Sequence, residues 1–148
     1  MTQVAHMLPA ARSQLILIAN DRPLTEAASL LADTARPMVV VCDRNGVMVG
    51  LVTRTDIVRQ IRHCQGCACT TPCTEVMTKE VISCGPDDPL QGVWTVMKTK
   101  GLKSIPVIDA ERRPIGLVLA CDAFEMLLSE AEHEGELLKE HVNSVGYH

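Results

Sequence analysis

Slid against itself by 66 positions, the sequence meets its own copy. Asp21, Pro23 and Leu24 fall on Asp87, Pro89 and Leu90, and Val41 and Asp43 fall on Val107 and Asp109. Gly50-Leu51-Val52 falls on Gly116-Leu117-Val118, and Asp56 on Asp122. The offset never slips across these nine identities, so loop lengths inside the two units agree. Two copies of one supersecondary unit, each too small to bury its apolar face alone, are expected to pack on one another.

Each unit reads as β-α-β-β-α. Residues 15–18 form a short apolar strand, Asp21 is placed to cap a helix, and Leu24, Ala27, Ala28 and Leu31 recur at helical spacing. Residues 38–42 are continuously apolar and rich in valine, which fits a strand covered on both faces. Asn45-Gly46 signals a hairpin, residues 47–52 return, and Asp56 opens a second helix to about Arg62. The second unit repeats this with Val81-Ile82, then Leu90, Val93, Trp94 and Met97, then strands over 105–108 and 115–119. Its last helix runs from Asp122 through Leu127 and Leu128 toward His141, with an interruption expected at Gly135. The fold class is α/β in the α+β sense, with the two units packed sheet to sheet about a pseudo-two-fold axis.

Composition narrows the functions. The 148 residues carry 14 basic and 18 acidic side chains, a net charge of −4, which argues against a nucleic-acid footprint. Trp94, Phe124 and Tyr147 are the only aromatics, too few for a base-stacking platform. No apolar run approaches the ~20 residues of a membrane span, and residues 15–19 are too short for a signal peptide. A cytoplasmic protein is expected. No phosphate-binding loop, dinucleotide glycine fingerprint or catalytic triad is present, and His6, His63, His133, His141 and His148 lie away from any cleft residue, so an enzyme is not expected.

Seven cysteines cannot all pair within the chain. Cys42, Cys84 and Cys121 stand in apolar contexts and read as small buried hydrophobes. Cys64, Cys67, Cys69 and Cys73 crowd into a Gly- and Pro-bearing loop between the units. Four thiolates there suit zinc or an iron–sulfur cluster. The single residue between Cys67 and Cys69 departs from ferredoxin spacing, and zinc knuckles place their second pair further off. A dithiol–disulfide switch and a loop without a role are the alternatives.

The ordered markers resemble a known family, a tandem pair of CBS (cystathionine β-synthase) domains known as a Bateman module. They are Gly50-Leu51-Val52-Thr53-Arg54-Thr55-Asp56, Val76-Met77-Thr78 and Ile105-Pro106-Val107-Ile108-Asp109. The resemblance covers roughly 7–128. It implies repeats over 7–62 and 75–130, a Cys-rich connecting loop over 63–74, and a C-terminal helix and tail over 131–148. It also implies a regulatory module, energy sensing in character, that binds AMP, ADP or ATP between the units and signals to a protein target or through a homodimer. The alternative is a metal or redox sensor built on the same scaffold with the Cys64–Cys73 cluster.

Thr53 ends a strand and starts a helix, so its hydroxyl and the free amides of the first turn make an anion site for phosphate. Asp56 is placed to accept both hydroxyls of a ribose, and Arg54 to add a charge-assisted contact. The competing reading is a capping box, with Thr53 as N-cap and Asp56 three residues on. By position in the resembled family, Ile16, Met38 and Val39 would line the adenine in the first unit, and Ile82, Ile105, Pro106 and Val107 in the second. The second unit keeps Asp122 but has Leu119 where the first has Thr53, so two unequal sites are expected. Lys103, and Arg36 in the first unit, are the candidate phosphate cations. The helix carrying Phe124, Leu127, Leu128, Leu137 and Leu138 is the candidate dimer surface.

Overall fold

The computed structural model describes residues 2–34, 36–62 and 71–144, with only the backbone path given for 133–144. A 3-10 turn at Val4–Met7 leads into α1 (Leu8–Gln14). The first repeat follows as β1 (Leu17–Ala19), α2 (Leu24–Thr34), β2 (Met38–Cys42), β3 (Met48–Thr53) and α3 (Arg54–Ile61). A short α4 (Cys73–Val76) precedes the second repeat, which contains α5 (Leu90–Lys100), β4 (Ser104–Ile108), β5 (Pro114–Leu119) and α6 (Ala120–Ser144). This is the α+β pattern expected of the repeat.

The repeats agree down to the register. Strands β2 and β3 pair antiparallel with Met38 opposite Thr53 and a shift between Val41 and Cys42. Strands β4 and β5 pair with Ser104 opposite Leu119 and the same shift between Val107 and Ile108. Both hairpin turns hang on an aspartate. The Asp43 carboxylate accepts from the amides of Asn45 and Val47, and Asp109 does the same for Glu111 and Arg113. The left-handed turn position is Gly46 in one copy (φ 81°) and Arg112 in the other (φ 65°).

The third strand is where the copies part. In the first repeat β1 runs parallel to β2, held where the Val40 amide donates to the Ile16 carbonyl (2.8 Å) and the Asn20 amide to that of Cys42 (2.9 Å). The matching positions in the second repeat are Pro106 and Pro86, which have no N–H to give. There the strand shrinks to one bridge between Cys84 and Val107. The strand expected at Val81-Ile82 is therefore absent, and Ile82 is 39% exposed.

Among the described residues, three apolar clusters form the core. One lies between the first sheet and its helices (Ile18, Ala27, Leu31, Val39, Val41, Val52), another likewise in the second repeat (Leu90, Val93, Met97, Ile105, Val107, Val118). The third joins the two sheets through Met38, Val40, Met48, Leu51 and Leu117. Alternation along β2 sends Val39 to the helices and Met38 to the opposite sheet.

The lead-in segments are exchanged. Val4, Met7 and Ala11 belong to the second repeat's core, while Cys73 belongs to the first. The chain near residue 2 binds the second repeat as the chain near residue 71 binds the first. Leu90 N donates to Thr2 O, and Leu24 N to Thr71 O, both at 2.8 Å. Each lead-in then crosses a glycine: a Cβ on Gly50 would lie 2.6 Å from Met77 Sδ, and one on Gly116 would lie 2.9 Å from Ala11 Cβ.

Several expectations change. Asp21 and Asp87 stand ahead of the helices; α5 is flanked by Pro89. Helix α6 continues through Gly135 without a break. Cys42 and Cys84 are buried as expected, but Cys121 is exposed on the first turn of α6, because the helix turns that position away from the sheet. No helix among the described residues is long and apolar enough to cross a membrane.

Candidate functional site

The end of β3 delivers Thr53 and Asp56 to one point. The capping box forms in full: the Asp56 amide donates to Thr53 Oγ1 (3.3 Å), and the Thr53 amide donates to Asp56 Oδ2 (3.0 Å). The Thr53 hydroxyl adds a bond to the same oxygen (3.1 Å). Asp56 is 5% exposed, a buried carboxylate among donors.

One of those donors comes from outside the first repeat. The Thr78 hydroxyl reaches Asp56 Oδ1 at 3.2 Å and Oδ2 at 3.3 Å. Its backbone is anchored by two bonds with Leu51 (3.0 and 2.8 Å). Thr78 was legible only as part of the Val76-Met77-Thr78 marker; nothing in the sequence alone places it on Asp56. Arg59 lies 3.6 Å from Asp56 Oδ1. Arg54, expected to face phosphate, instead donates to the Leu31 carbonyl at 3.3 Å. Arg36 donates to Gln14 Oε1 (2.5 Å) and Ser13 O (3.0 Å), which ties the end of α1 to the first repeat.

The second repeat is built differently at the equivalent place. Leu119 offers no hydroxyl, and Asp122 shares a groove with His6, Pro9, Glu125 and Ser129. Pro9, which lines that groove, has no hydroxyl to give, and the Cys121 thiol donates to Asp122 Oδ1 at 3.8 Å. Opposite Leu119 stands Ser104, where the first repeat has Met38 opposite Thr53. The Ser104 hydroxyl is buried without a partner. Lys103 is exposed beside it.

The adenine-lining candidates separate. Met38 sits between the two sheets. Val39, Ile105 and Val107 are enclosed by their own helices, at 0%, 1% and 0% exposure, and Ile16 packs at the edge of the first core. Pro106 is buried in β4. Ile82 and Ile105 meet in a cavity that contains none of Thr53, Asp56, Thr78 or Asp122.

Of the cysteine cluster, Cys64, Cys67 and Cys69 lie outside the described residues. Cys73 departs from the expected four-thiol loop. It is fully buried at the first turn of α4, and burial pushes its thiol pKa up, which disfavours the thiolate a metal needs. No group of His, Cys, Asp or Glu among the described residues could hold a metal ion.

The CBS domain profile matches residues 6–63 and 73–129. The chain belongs to the CBS domain family, as a pair of such domains. A homoserine O-acetyltransferase of Methanohalobium evestigatum is 30% identical over 104 residues, 70% of this chain but 20% of that protein, so the chain spans about a fifth of that relative's length. Solved CBS domain structures share the fold, two of them with bound adenosyl ligands. The CBS domain pair of protein MJ0100, in complex with 5′-methylthioadenosine and S-adenosyl-L-methionine, has a TM-score of 0.71 at 24% identity, covering 88% of this chain and 98% of that one. CBSX2 in complex with AMP has a TM-score of 0.74 at 17% identity, covering 88% and 99%.

Proposed function

We propose that this CBS domain pair is a regulatory module that binds an adenosine-containing nucleotide of the AMP, ADP or ATP type at Asp56. Bound state then passes to a protein target or to a second copy of the chain. The observation that carries this reading is the position of Asp56: a buried carboxylate held by a hydroxyl from its own repeat, Thr53, and by one from the lead-in to the other, Thr78. The adenosyl ligands of the two structural relatives support the ligand class.

The mechanism follows from hydrogen-bond competition. A ribose diol presents two donors to the carboxylate and takes over the acceptor sites that Thr78 and Thr53 now occupy. The phosphate meets the open first turn of α3, where Arg54 exchanges the Leu31 carbonyl for a charged partner. Release of Thr78 loosens the strap that crosses β3, so occupancy is felt at the joint between repeats. Helix α6, with Phe124, Met126 and Leu128 exposed, is the surface through which a homodimer would read the change.

Titration calorimetry with AMP, ADP and ATP tests the assignment on wild type, Asp56→Asn and Asp122→Asn. Asp56→Asn is expected to lose most of the affinity and Asp122→Asn little. Equal affinity in wild type and Asp56→Asn overturns it.

A further inference from the structure

The second repeat contains an apolar cavity on the helix side of its sheet. It lies between the shortened third strand and α5, measures about 220 Å³, and is lined chiefly by Ile82, Cys84, Pro89, Val93, Val96 and Ile105. Two substitutions within the repeat open it. Pro106, in the place of Val40, cannot hold the 82 segment against β4, so Ile82 swings to the mouth. Gly92, in the place of Glu26, takes the side chain off the facing turn of α5. A Cβ at Gly92 would meet nothing within 4 Å, and the residue needs no left-handed backbone. A glycine inside a helix weakens it, and neither crowding nor conformation demands one here. The matching positions in the first repeat, Ile16 and Leu30, are partly buried against its core, whereas Ile82 and Val96 are 39% and 38% exposed.

The lining also bounds the occupant. An enclosed apolar cavity of roughly 150 Å³ accepts a benzene ring; this one, about 220 Å³ and open at its mouth, has room for a single ring or branched aliphatic body with a short substituent. Asp88 is the charged residue on its wall, exposed at the N-terminal end of α5. Its Oδ2 accepts from the Gly85 amide (2.8 Å), and a carboxylate has acceptor sites to spare. We propose that this cavity is a binding site for a small primary amine with an apolar body, the body between Ile82, Val93 and Ile105 and the ammonium on Asp88. The site is separate from the Asp56 cleft and does not depend on the nucleotide reading.

Benzylamine and toluene are the probes, followed by amide NMR shifts of the full chain without nucleotide. Benzylamine is expected to move the amides of Cys84, Gly92, Val93 and Val96. Gly92→Leu, which fills the cavity, should abolish these shifts while the rest of the spectrum stays that of the folded chain. Asp88→Asn, on the surface, should weaken benzylamine several-fold and leave toluene unchanged. Absence of saturable shifts in wild type, shifts that survive in Gly92→Leu, or equal loss of both probes in Asp88→Asn overturns the proposal. So does concentration-dependent protection of Ile82 and Val96, which would mark the cavity mouth as covered by a second copy. Because no nucleotide is present, failure here leaves the Asp56 assignment standing, and failure of AMP binding leaves this one standing.

Discussion

Val4 and Cys73 are the same residue of two repeats. Both are fully buried, and each amide reaches across to the partner repeat: Val4 N to Asp88 O at 3.0 Å, Cys73 N to Arg22 O at 2.9 Å. A thiol stands here where the other copy has an isopropyl group. Cys73→Val is therefore expected to stay within about 1 kcal/mol of wild type. Cys73→Ser, which buries a hydroxyl in an apolar cluster, should lose about 1–3 kcal/mol. Urea denaturation of the three proteins measures both; a large loss in the valine variant would contradict the equivalence.

Gly50 and Gly116 are matched glycines with unequal tolerance. A methyl group on Gly50 meets Met77 Sδ at 2.6 Å and also the Thr78 carbonyl oxygen, a backbone atom, at 2.8 Å. At Gly116 the nearest atom is Ala11 Cβ at 2.9 Å. Both Gly→Ala variants should lose about 1–3 kcal/mol through overpacking, with Gly50→Ala the worse. Gly50→Ala also pushes on the strap that carries Thr78, so its AMP affinity should fall, whereas that of Gly116→Ala should not.

Ser104 and Thr53 test the polar design of the two ends. Removing the unpartnered hydroxyl in Ser104→Ala is expected to raise stability by about 1 kcal/mol. Removing the cap in Thr53→Ala should lower it by a similar ~1 kcal/mol. Thermal melts give both signs, and a destabilised Ser104→Ala would mean that its hydroxyl has a partner in solution.

Burial pushes the Cys84 thiol pKa up to about 12. An unfolded cysteine releases its proton near pH ~8.5. Below that pH both states are protonated and the contribution is whole. Between there and 12 the folded chain holds the extra proton, so stability falls as pH rises. One such group gives a slope approaching ~1.4 kcal/mol per pH unit. Cys84→Val should flatten the decline, seen by comparing denaturation midpoints at about pH 8 and about pH 11.

The duplicated frame was legible because identities at turns survive a fixed offset, and Asp43 and Gly50 do matched jobs in both copies. What escaped were relations that cross repeats. The lead-ins match at a shift of 69, three more than the body, and Thr2 and Thr71 are the identical pair there among Val4/Cys73 and Met7/Val76. In sequence Cys73 therefore reads with its neighbours rather than with its counterpart in space. The role of Thr78 is hidden for the same reason: a hydroxyl after a short helix carries no sign of which carboxylate it will find. The missing third strand was readable in principle, since Pro106 stands where Val40 donates, but only once the pairing partner of Val40 was known.

The exchange of lead-ins has a consequence for how the chain comes apart. A cut between 62 and 71 does not release two complete domains. The N-terminal piece keeps α1, whose Ala11 belongs against Gly116, and loses α4, whose Cys73 fills its own core. The C-terminal piece has the reverse deficit. Each fragment carries the plug for the other's core, so neither is a folding unit, and mixed fragments should recover the native fold only as an intertwined pair. The connection between the repeats is then dispensable for architecture, and the covalent order of the halves matters less than the presence of both.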